Sequence, residues 1–172
     1  MLQAFDQKLG TVVRALSWLA CALIPCMFTG ITVDVLMRTA GFTPPLFTSS
    51  VVEYALLYLA MCSAPWLVRE RGHVAIEALL TILSNGIRRP LAKFVYLVCG
   101  SVCILFAWFS LELFWEAWVT GEEDIRGVDM PYWLMYLPMP FAFLLAGLEF
   151  FMYLAGLRSY YTYDLGEVKD GV

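Results

Sequence analysis

Four long apolar stretches dominate the chain, at about residues 15–37, 49–68, 91–119 and 131–157, with short polar joints between them. A helix needs roughly 20 apolar residues to cross a hydrocarbon core about 30 Å thick. Each stretch reaches that length, and most of the sequence lacks the alternation of a soluble fold. The pattern predicts four transmembrane helices: an all-α membrane protein that forms one transmembrane domain over residues 1–172. Arg38, Gly41 and Pro44-Pro45 end the first span, and Arg69-Glu70-Arg71-Gly72 ends the second. Pro25 is expected to kink the first span, which neighbouring helices tolerate in a membrane. Ser49 or Ser50 is expected to cap the second, with Glu53 in its first turn, where a carboxylate favours the helix dipole. Ala60, Ser63 and Ala64 form a small-residue patch suited to close packing. The third span is longer than a bilayer requires, so it must tilt or project.

One segment, from His73 to about residue 84, breaks the pattern. It is too short to cross, is apolar at Val74, Ile76, Leu79, Leu80, Ile82 and Leu83, and has basic residues on both sides. It reads as an interfacial helix in the headgroup plane. A helix buried in a loop is the alternative.

The positive charges give a direction. Lys8, Arg14, Arg69, Arg71, Arg88, Arg89, Lys93, Arg158 and Lys169 fall on one side, against Arg38 and Arg126 on the other. The positive-inside rule then places both termini in the cytoplasm, and an even number of spans agrees. The first stretch is too long for a signal peptide and reads as a retained span. Composition adds weight: 61% of residues are hydrophobic and 15% charged, against about 45–50% and about 25% in soluble domains. No basic cluster is interleaved with aromatics, so nucleic acid is not an expected partner. The five cysteines lie in apolar stretches without a CxxC and read as buried free thiols.

Little chemistry is visible. A single histidine, His73, excludes a bis-histidine haem within the chain and makes a metal cluster improbable. There is no GxxxxGK[ST] loop and no GxSxG elbow, so neither an enzyme nor a cofactor is expected. What remains is a set of carboxylates in or near the spans: Asp34, Glu53, Glu112, Glu116 and Glu149. Asp34 precedes Arg38 by one turn and can pair with it. Glu112 and Glu116 share a face, flanked by Trp108, Trp115 and Trp118. Glu149, in the last span, reads as the carboxylate most exposed to hydrocarbon. Each serves either structural pairing, including contact with a partner subunit, or an ion relay. A lone transporter usually places polar residues or broken helices at the midplane, and these spans have apolar middles. A scaffold is therefore favoured. The alternative is a small, self-sufficient proton-coupled transporter built on Glu149 or Glu112.

Two motifs sharpen this. The first is Glu53 followed by Arg69-Glu70-Arg71-Gly72-His73-Val74-Ala75-Ile76-Glu77; the second is Gly127-Val128-Asp129-Met130-Pro131-Tyr132-Trp133-Leu134-Met135-Tyr136-Leu137-Pro138. At this spacing the chain resembles the small membrane subunit of tripartite ATP-independent periplasmic (TRAP) transporters over roughly residues 10–155. The acidic run Glu122-Glu123-Asp124 departs from that family's common serine- and threonine-bearing loop. The resemblance implies import of an organic acid across the bacterial inner membrane, driven by sodium. It implies a periplasmic substrate-binding protein as transient partner. It also implies a large elevator-type membrane subunit, braced by this chain in a stable heterodimer. On that reading, Arg69 and Arg71 hold lipid phosphates, and Arg88 and Arg89 share that interface. His73 and Glu77, one turn apart, either pair or form a solvated helix start. Glu53, Glu112, Glu116, Trp133 and Tyr136 are candidates for subunit contact, although the last two read first as interface anchors. The loop from Gly121 to Asp129 either touches the binding protein or is simply solvated.

Overall fold

Helix α1 (Leu2–Thr39) is followed by α2 (Phe47–Arg69), α3 (Asn85–Thr120), a strand pair β1 (Glu123–Ile125) and β2 (Asp129–Pro131), a short helix α4 (Tyr132–Tyr136) and α5 (Pro138–Leu154). They come from a computed structural model that describes residues 2–43, 47–70, 85–125 and 129–156. Four candidate spans, Phe5–Thr39, Phe47–Arg69, Pro90–Thr120 and Tyr132–Leu154, are long and apolar enough to cross a membrane. The expected interfacial helix at residues 73–84 lies outside the described residues, as do Arg71, His73 and Glu77.

Several boundaries differ from expectation. Helix α1 starts at Leu2 and not near Ala15. Its first turns look too polar for a membrane, but Leu9 and Val13 lie one turn apart and bury against Met152. Helix α2 starts at Phe47, so Ser49 and Ser50 are inside it and neither caps it; Glu53 falls in the second turn. The Ala60 patch does not form the packed face of α2. Ala60 is exposed, and Ser50, Cys62, Pro65 and Val68 are the buried positions. Helix α3 begins at Asn85, which puts the backbone of Arg88 and Arg89 in its first turns. The last span breaks at Leu137 into α4 and α5, because Pro138 and Pro140 lack the backbone N–H that would continue the ladder.

The acidic loop contains a small antiparallel hairpin, with Asp124 opposite Met130 and Ile125 opposite Asp129. Tyr132 N–H donates to Glu122 O at 3.1 Å, tying α4 to the hairpin. Of the thiols expected to be buried, Cys62 is buried, while Cys21 and Cys26 stand on the exposed face of α1.

The spanning helices alternate in direction along the chain, so the packed pair α2 and α5 run the same way. Helix α2 packs on α1 and on α5, and α3 packs on α5. The order across the layer is therefore α1, α2, α5, α3. The share of each span buried within the chain is lowest for the first, at 6%, and highest for the last, at 39%. Helix α5 is the central element, and α1 and α3 are the edges. The main apolar cluster joins α2, α3 and α5 through Val68, Ala92, Tyr96, Ala146, Phe150 and Tyr153. Gly147 makes the α3–α5 approach close: a Cβ there would stand 3.0 Å from Ile104 Cδ1 and 3.4 Å from Cys103 Cβ.

Candidate functional site

Helix α2 carries polar side chains at both ends, and each end holds the rest of the fold together. At its last residue, Arg69, the guanidinium turns inward. Its Nη1 donates to Glu149 Oε1 on α5 at 2.5 Å. Its Nη2 donates to the backbone oxygen of Asp6 on α1 at 3.4 Å and lies 3.8 Å from Asp6 Oδ1. Tyr153, one turn after Glu149, donates its hydroxyl to Arg69 O at 2.7 Å and to Val68 O at 3.3 Å. The Tyr153 ring meets Tyr96 of α3, with centroids 5.6 Å apart. One arginine thus gathers α1, α2 and α5, and the tyrosine pair extends the knot to α3.

The knot corrects the expectation for Glu149. It is fully buried, at 0% exposure, and faces protein instead of hydrocarbon. Burying a carboxylate in a medium of low dielectric is costly unless a counter-charge and hydrogen bonds accompany it. Arg69 supplies both, and so its head lies against Glu149 with the side chain 15% exposed. A carboxylate clasped by a guanidinium at 2.5 Å suits a fastening.

The opposite end of α2 is fastened by tyrosines. Tyr54 Oη donates to Asp124 Oδ2 in the hairpin at 2.7 Å, and Tyr58 Oη donates to Leu134 O in α4 at 2.6 Å. The two tyrosines are one turn apart, so one helix face grips both the hairpin and α4. Beside them lies a cleft of about 490 Å³ lined by Glu53, Glu116, Glu122, Asp124, Tyr132 and Tyr136, among others. Among the expected partner-contact residues, Glu53, Glu116 and Tyr136 meet here, on three different helices. Trp133 does not line this cleft; its ring packs edge-on against Trp118, with centroids 5.1 Å apart. Glu112 stands apart on the outward face of α3, where it accepts from Trp108 Nε1 at 2.8 Å. Asp34 and Arg38 pair as expected, at 2.8 Å. Among the described residues no group of His, Cys, Asp and Glu is arranged to hold a metal ion.

Sequence reasoning missed Asp6, Tyr54, Tyr58 and Tyr153. Tyr54 and Tyr58 had a legible signal, since two phenols one turn apart on an apolar helix need partners for their hydroxyls. Asp6 had none, because nothing local relates it to Arg69.

Residues 27–158 match the sequence profile of the family described as "Tripartite ATP-independent periplasmic transporters, DctQ component". No curated protein and no solved structure matches the chain. The match takes in α2, α3, the hairpin, α4, α5 and α1 from Met27 onward, so it covers the hairpin fastening of α2 and the Arg69–Glu149–Tyr153 part of the other, but not Asp6. By that match the chain belongs to the DctQ family, the small membrane subunits of TRAP transporters.

Proposed function

We propose that this chain is the fixed brace of a sodium-coupled importer of organic acids, set in the bacterial inner membrane with both termini in the cytoplasm. A periplasmic binding protein delivers the substrate. A large membrane subunit carries it by an elevator motion, and this chain holds the static part of that subunit without a substrate site of its own. In this orientation the Arg69 end faces the cytoplasm. Arg71, Arg88 and Arg89 then meet lipid phosphates and fix the depth of the assembly, while His73 and Glu77 pair and orient an interfacial helix beside them. Arg69 leaves that group, because Glu149 engages its guanidinium. The hairpin and the cleft between Glu53 and Glu116 face the periplasm, where the binding protein docks.

The observation that supports this reading most is where the polar groups lie. They concentrate in the Arg69 knot and the hairpin cleft, at the two ends of α2. Four helices side by side, apolar between their ends, give a wall and not a path. The self-sufficient transporter loses its main candidate, since Glu149 is committed to Arg69. Proteoliposomes containing this chain alone should take up none of a panel of labelled carboxylic and sulfonic acids under an inward sodium gradient. Adding the large subunit and the loaded binding protein should restore uptake. Accumulation by the chain alone would contradict the reading.

A further inference from the structure

The two edge helices present outward faces of different chemistry. Helix α1 has no ionisable carboxylate or amine between Arg14 and Asp34, and its outward residues there, such as Trp18 and Phe28, are 73% and 70% exposed. A lipid tail satisfies such a face. Helix α3 differs. Trp108 and Trp115 are 63% and 65% exposed, and Glu112 is exposed between them on the same face. The indoles and Glu112, with Leu111 and Glu116, line a depression of about 550 Å³ that opens away from the chain. Trp108 Nε1 donates to Glu112 Oε1 at 2.8 Å and holds the carboxylate at that place.

Depth makes this costly in lipid. The candidate span Pro90–Thr120 has 31 residues, about 46 Å at 1.5 Å per residue, against a core of about 30 Å. Centred on the bilayer, it would carry Glu112 about 12 Å below its end, just inside the hydrocarbon. Carboxylates at that depth face a bundle interior or a partner charge. Within this chain Glu112 faces outward, so the outward face of α3 is the interior of a larger assembly. Two indoles flanking a carboxylate also define what fits there. A guanidinium or ammonium gains cation–π attraction from the rings and a charge-assisted hydrogen bond from the carboxylate.

We propose that the Trp108–Glu112–Trp115 socket receives an arginine or lysine side chain of the large membrane subunit, which makes α3 the docking edge and leaves α1 to lipid. This rests on the reading of a two-subunit permease. The test uses the tagged chain co-expressed with the large subunit of its own system, carrying a photoreactive phenylalanine at Leu111 or, as control, at Phe28. The Leu111 probe should crosslink to the large subunit and the Phe28 probe should not. Glu112→Arg should lower the amount of large subunit retained at least about tenfold, and Glu112→Gln should lower it less. If the wild-type chain retains the large subunit but crosslinks come from Phe28, or the Leu111 probe labels lipid alone, the docking edge is wrong and the two-subunit reading survives. If the wild-type chain retains no large subunit, both fall together.

Discussion

Arg69→Leu should destabilise the chain by about 3–5 kcal/mol, because it leaves a buried carboxylate without its counter-charge. Glu149 is 0% exposed and takes the Arg69 Nη1 donor at 2.5 Å, so water cannot replace the guanidinium without opening α5 from α2. The same arginine also holds Asp6 of α1, and the loss should therefore loosen two helix contacts. The double variant Arg69→Leu with Glu149→Leu should recover most of the stability, since replacing a buried ion pair with apolar groups of similar volume is often neutral. The readout is the midpoint of thermal unfolding of the purified chain in detergent. A single variant as stable as the wild type, or a double variant no better than the single, would show that the pair is not a fastening.

Gly10→Ala should also destabilise, against the direction that helix propensity alone dictates. In an ordinary helix interior the change gains about 1 kcal/mol. Here the new Cβ would stand 2.2 Å from Arg69 Nη2 and 2.6 Å from its Cζ. A free arginine would swing aside at little cost, but this head is tied to Glu149 and Asp6. Overpacking of this kind costs about 1–3 kcal/mol, enough to reverse the sign. The coupling is testable in one cycle. In the Arg69→Leu background the guanidinium is gone, and Gly10→Ala should become neutral or stabilising. If it destabilises equally in both backgrounds, the guanidinium is not what Gly10 makes room for.

The sequence made the four spans legible, because a run of apolar residues long enough to cross a bilayer has few other readings. It did not show which face of each span looks inward. That is why Glu149 read as exposed to lipid: hydropathy registers its apolar neighbours, but not the arginine brought to it from α2. Helix α1 began too late for a related reason. Asp6, Lys8 and Arg14 lower the local hydropathy, yet Leu9 and Val13 bury one stripe of the same segment. The hairpin was invisible because three-residue strands carry almost no periodic signal. The candidate cleft was partly legible. Glu53 and Tyr136 were marked by the family resemblance and do line one cleft, while Tyr54, which pins the hairpin beside them, carries no mark in that resemblance.

The brace itself can be measured as a distance. With the native cysteines replaced, spin labels at Leu36 on α1 and Val119 on α3 sit on the opposite edges of the layer, at exposed positions near its hairpin end. If the chain is the proposed brace, the distribution of label–label distances in the complex with the large subunit should stay the same when sodium and the loaded binding protein are added, because both ends of α2 hold the helices in place. A shift of that distribution by more than its width during turnover would contradict the brace and make the chain a moving part of the transporter.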